Sequence, residues 1–204
     1  MATFPPPLSF KAVDEPDVYR AVYDFIETFG LPAMSDAPKT GRIFRGWSNR
    51  MSLPHDNEYA VMSILSHFRR GTNIEIFDAS QAAIDEDGVL TTAELILCDV
   101  QIDFCSDPHT GRDFARRRAQ AIETVARSSL GPQFFRPYNI SCQYATDARD
   151  LSFVGDAKQY VSRWMTTVRV SFWTAVSAEL PWFDAINLKR LENVDVHHPP
   201  TTSK

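Results

Sequence analysis

Cys105 and His109 are the nearest cysteine and histidine in the chain. A thiol beside an imidazole, oriented by an acid, is the arrangement of a cysteine nucleophile. Nothing around them has the tight glycine-flanked elbow that holds such a nucleophile, so a Cys/His hydrolase stands as the alternative and not the leading reading. Asp99 and Asp103 could hold a cation or act as paired acids. They also alternate along one strand, which suits a solvated or subunit-facing surface better. Arg112, Arg116, Arg117 and Arg118 could grip phosphate, but with Asp113 and Glu123 nearby they read as the exposed face of a helix. Arginines and tryptophans interleave in Arg163, Trp164, Arg169 and Trp173, a pattern that can stack bases. Trp164 falls on an expected core face, so packing is the reading adopted.

Other chemistries lack their residues. His55, His67, His109, His197 and His198 show no helical or turn-based ligand spacing, so no metal site is expected. The 8 glycines are scattered singly, without GxGxxG or GxxxxGK, and no nucleotide cofactor is expected. The 3 cysteines form no CxxC. That argues against a zinc ribbon or disulfide scaffold and for reducing surroundings. Cys98 and Cys142 fall on expected core faces, where a thiol behaves as a small hydrophobe.

The chain has 204 residues, 44% of them hydrophobic and 12% aromatic, enough for a packed core. A net charge of −5 leaves no general footprint for nucleic acid, whose backbone needs clustered cations. No apolar run reaches membrane-spanning length, and the N-terminus lacks the pattern of a secretory signal.

These side chains sit on a mostly antiparallel α+β framework. Residues 1–12 contain three consecutive prolines and read as an extended arm. Residues 13–180 read as one domain, and residues 181–204 as a C-terminal extension. Asp14-Glu15-Pro16 opens a helix that buries Val18, Ala21, Val22, Phe25, Ile26 and Phe29 and ends at Gly30. Arg42 to Trp47 is expected as a short strand. Tyr59 to Arg70 is expected as a strand burying Ala60, Met62, Ile64 and Phe68, in a hairpin with Thr72 to Phe77 across Arg70-Gly71. A polar turn at Asp85 to Gly88 precedes a long strand, Leu90 to Cys105, with Cys98, Val100, Ile102 and Phe104 inward. A second helix is expected from about Thr110 to Leu130, with Phe114, Ala121, Ile122, Val125 and Ser129 on one side and Gly131-Pro132 as its stop. Tyr138 to Thr146 should bury Tyr138, Ile140, Cys142 and Tyr144. Finally, Lys158 to Val176 alternates an apolar face with one carrying Arg163, Thr167, Arg169 and Ser171, well beyond the usual strand length. The two main helices pack on one face of the sheet.

Three pieces in this order carry a family likeness. They are Gly46-Trp47-Ser48-Asn49-Arg50 with Pro54 ahead of the Tyr59 strand, the strand Asp99-Val100-Gln101-Ile102-Asp103 ahead of an Arg/Ala-rich helix, and the ribbon Gln159-Tyr160-Val161-Ser162-Arg163-Trp164. From about Ile43 to Val176 the chain resembles the neck, or tail-terminator, proteins of tailed bacteriophages. The resemblance implies a non-enzymatic virion protein, made in the bacterial cytoplasm, that forms a homohexameric ring. The ring would cap the head-proximal end of the tail tube, stop its growth and meet the head–tail connector or stopper, with sheath as a further neighbour. It implies no cofactor and no membrane, and genomic DNA would pass through without specific binding. Another neck ring, such as a head-completion, stopper or connector protein, is the alternative within that class. Asp99, Gln101, Asp103, Arg163 and Arg169 are the candidate assembly residues, and Trp47, Asn49 and Arg50 would fix the loop entering the sheet.

Overall fold

A computed structural model describes residues 11–30, 42–46, 58–78, 88–106, 114–154 and 160–180. Along the chain come α1 (Glu15–Phe25), a π-helical turn (Ile26–Gly30), β1 (Ile43–Arg45), β2 (Glu58–Arg69), β3 (Ile74–Asp78) and β4 (Gly88–Ser106). Then follow α2 (Phe114–Arg127), α3 (Leu130–Phe135), a 3-10 turn (Arg136–Tyr138), β5 (Ser141–Ala145), β6 (Arg149–Asp150), β7 (Phe153–Val154) and β8 (Tyr160–Leu180). The sheet runs β1-β2-β4-β8-β5, with β3 on β4 and β6 and β7 on β8. β1 is parallel to β2, while β2 on β4 and β5, β6 and β7 on β8 are antiparallel.

The chain clusters into two units, one of residues 1–75 and 92–176, the other of residues 76–91 and 177–204. In the smaller, the Thr91 and Ser177 hydroxyls bond at 2.8 Å and the Phe77 ring fills the space above Gly88. The larger holds the core. α1 opens as expected: Pro16 lies in its first turn and the Asp17 carboxylate accepts the Asp14 N–H at 3.3 Å. Val18, Ala21, Val22, Phe25 and Ile26 are all fully buried. Phe25 packs its ring against Phe29, Phe134 and Phe135 at centroid distances of 5.2, 5.2 and 4.9 Å. Beneath the helices lie Cys98, Val100, Ile102 and Phe104 of β4 and Thr166, Val168, Val170 and Phe172 of β8.

Several expectations need correction. Between Ile64 and Ser66 the register of β2 on β4 shifts. This bulge exchanges the two faces of the strand beyond it, so Phe68 is 51% exposed instead of buried. A second shift between Cys142 and Tyr144 turns Tyr144 outward and Ala145 into the core. Tyr138 lies in the 3-10 turn before β5, not in the strand. β3 pairs with β4, so the hairpin expected between β2 and β3 does not form. Gly131-Pro132 does not stop helical structure: it lies in α3, where a proline in the first turn removes no intrahelical bond. The buried stripe of α2 is Ala115, Ala119, Ile122 and Ala126; Phe114, Ala121 and Val125 flank it and Ser129 is exposed. The turn expected at Asp85 to Gly88 lies outside the described residues except for Gly88, the first residue of β4.

Candidate assembly surface

With the helices over one face of the sheet, the odd-numbered side chains of β4 and β8 occupy the other. Two ion pairs cross between these strands. Arg169 grips Asp99 with both ends of its fork, Nε to Oδ1 and Nη2 to Oδ2, each at 2.7 Å. Ser66, brought onto this face by the bulge, sits 3.5 Å from the same carboxylate. The Arg169 hydrogen bonds hold the Asp99 carboxyl below the ordinary range, against a smaller opposing push from burial. Arg163 donates from Nε to Asp103 at 3.1 Å, and Gln101 donates to the other Asp103 oxygen at 2.7 Å. Asp103 is the more deeply set acid, its side chain 5% exposed against 36% for Arg163. A further exposed pair, Arg69 of β2 and Glu94 of β4 at 3.5 Å, does not belong to this row, since Arg69 lies opposite the core residue Ile96. The five residues expected to act together are therefore adjacent, but as two internally bonded groups.

Trp47, Asn49, Arg50, His55, His109, Arg112, His197 and His198 lie outside the described residues. Cys105 is buried beside Tyr59, and burial pushes its thiol pKa upward. A thiol nucleophile needs the opposite shift. Cys98 and Cys142 are buried as expected, with pKa values pushed up to about 12 and about 11. Among the described residues no group of three or more His, Cys, Asp or Glu could hold a metal ion. No helix among them is long and apolar enough to cross a membrane. Arg116 lies 5.9 Å over the Trp164 ring.

Two features of the surface leave little trace in the sequence pattern. One is Arg127, which ties α2 to the segment after β5 through Glu123 at 2.8 Å, Asp147 at 2.6 Å, the Tyr144 hydroxyl at 2.9 Å and the Ala145 carbonyl at 2.8 Å. Its i,i+4 relation to Glu123 was the available signal. The other is a concavity whose lining combines Tyr59, Val61 and Phe153 with Asp103, Cys105 and Arg163. β6 and β7 span two residues each, too few for a period to show.

A search of curated proteins returns no significant match. The family model described as phage neck terminator protein matches residues 16–199. That is most of the chain, including nearly all of the helical layer and both ion-paired strands, so this protein belongs to the phage neck terminator family and is a structural component of the phage neck.

Proposed function

We propose that the chain is the tail terminator itself, a subunit of a homohexameric ring at the head-proximal end of the tail tube. The ring stops tube polymerisation and offers the head–tail connector or stopper its docking surface, with sheath alongside where the tail has one. The family match over residues 16–199 carries this reading. The long strands β4 and β8, of 19 and 21 residues, support it, because they provide a broad face for neighbouring copies.

On this reading Asp99, Gln101, Asp103, Arg163 and Arg169 shape the polar face that meets other subunits, and Trp47, Asn49 and Arg50 set the loop entering the sheet. Because both arginines are already paired within the chain, the face is nearly neutral and meets its neighbours by shape and hydrogen bonds. With a chain charge of −5, a ring of such subunits has little to hold DNA phosphate passing through it. Synthesis in the host cytoplasm suits three free, buried thiols. Cryo-electron microscopy of the particle tests the proposal. Six copies in one ring between tube and connector are expected. A ring on the capsid side of the connector would reassign the chain to head completion, and normal particle assembly without the chain would overturn a neck-ring role.

A further inference from the structure

Tyr59 and Val61 of β2, Asp103 and Cys105 of β4, Phe153 of β7 and Arg163 of β8 line an open pocket of about 210 Å³. Small-molecule sites usually measure several hundred Å³, so this one is sized for a side chain. Its rim is apolar and accessible: Phe153 is 47% exposed and neighbouring Leu151 42%. Its polar content is unevenly satisfied. Both Asp103 oxygens are occupied, by Arg163 and Gln101. The Arg163 side chain gives Asp103 only its Nε–H, one of five guanidinium donors, and is 36% exposed. The pocket is therefore built to take an aromatic ring with a carboxylate close beside it.

The chain contains that combination. Immediately after β8 it reads Pro181-Trp182-Phe183-Asp184, opening a segment that continues to Lys204. In an extended segment residues two apart share a side. Bound as an extended strand, the segment would offer Trp182 and Asp184 on one side and Phe183 on the other. A closed ring of identical subunits needs each copy to carry two different complementary surfaces, one donating and one accepting. We propose that the pocket receives Trp182 of a second copy of this chain, with Asp184 of that copy against the free guanidinium edge of Arg163. The proposal rests on the ring reading for its partner, and it assigns the C-terminal extension the task of linking neighbours.

Cys105 is buried with a raised thiol pKa but lines the pocket, so its slow alkylation at about pH 9 reports on occupancy. Cys98 and Cys142, which do not line it, serve as protected controls. The full-length chain is treated with iodoacetamide across a dilution series, Cys105 alkylation is followed by mass spectrometry, and native mass spectrometry records the oligomers. At about ten times the half-assembly concentration the open fraction, and with it the alkylation rate, should fall about tenfold. Trp182→Ala should abolish this protection, as should Phe153→Ala from the accepting side. Asp184→Asn should move it to higher concentration, and Phe183→Ala should leave it unchanged. Protection that is independent of concentration but lost in Trp182→Ala would mean the chain's own tail fills the pocket, overturning the proposal. So would oligomers in which Cys105 stays reactive, or protection indifferent to Trp182. Trp182-dependent protection in dimers alone would support the contact while counting against the hexamer.

Discussion

Replacing Arg163 should destabilise the fold far more than replacing the acid it pairs with. Asp103 has a side chain only 5% exposed, with Arg163 as its one cationic partner among the described residues. In Arg163→Met the carboxylate keeps Gln101 alone, 2.7 Å away. Stranding a buried charge costs about 3–5 kcal/mol. Because Arg163 is 36% exposed, water will enter where its head group was, and about 2–3 kcal/mol is the better expectation after that screening. In Asp103→Asn the arginine turns to solvent and the amide still has Gln101, so the loss is about 1 kcal/mol, the worth of one hydrogen bond. Urea unfolding of the isolated chain, followed by circular dichroism, reads the difference. With a slope of about 3 kcal/mol per M, Arg163→Met should lower the midpoint by nearly 1 M and Asp103→Asn by a third of that. The double variant should recover most of the difference, because no unpaired charge remains buried. Equal losses in the single variants, or a double variant worse than Arg163→Met, would refute the assignment of Asp103 as the buried charge that Arg163 neutralises.

Asp99 gives a pH signature. Arg169 lowers its folded pKa, so the pair's contribution is complete above the unfolded value of about 3.9 and is lost as pH falls through the lower folded one. The stability difference between the native chain and Arg169→Met, measured by urea unfolding, should therefore hold steady from pH 7 to 5 and shrink below about pH 4. Phe25→Ala should cost about 3–5 kcal/mol, since it empties the centre of a four-ring cluster; thermal unfolding checks this. Gly131→Ala should lower the melting temperature, because a Cβ there would stand 2.8 Å from the Ala126 carbonyl oxygen; about 1–3 kcal/mol is expected for overpacking. At pH 8, Cys98 and Cys142 should resist iodoacetamide until the chain is unfolded, their thiol pKa values lying at about 12 and about 11.

Long regular segments were legible in the sequence because a period needs many residues to declare itself. β4 and β8 each offer seven or more alternations, and Cys98, Val100, Ile102, Phe104, Val168 and Val170 lie inward as that alternation predicts. The misreadings cluster where one residue breaks the period. A bulge at Leu65 inverts everything after it, so Phe68 was assigned to the wrong face; the step at Gln143 does the same to Tyr144. Neither residue has a type that announces a bulge. For α2, three small alanines line the true stripe, so hydrophobicity pointed to larger neighbours instead. Pro132 looks like a stop in sequence because its effect depends on whether it falls in a helix interior or a first turn.

The ion pairs show a different limit. Alternation placed Asp99, Asp103, Arg163 and Arg169 on one face of two strands, but the partners were set by strand register, which no single sequence reveals. Register puts Asp99 against Arg169 and Asp103 against Arg163, and so changes what the face can do. Four unpaired charges would have made an adhesive, salt-sensitive surface. Two satisfied pairs make a stiff plate cross-linked between β4 and β8, on which Arg163 alone combines a half-exposed head group with an adjoining apolar pocket. A neighbour recognising this plate therefore gains most at that pocket. Assembly by that route should weaken only modestly between low and physiological salt, since a single charged contact accompanies a buried ring. Assembly that collapses steeply with salt would instead place the working contacts on the exposed cations elsewhere on the chain.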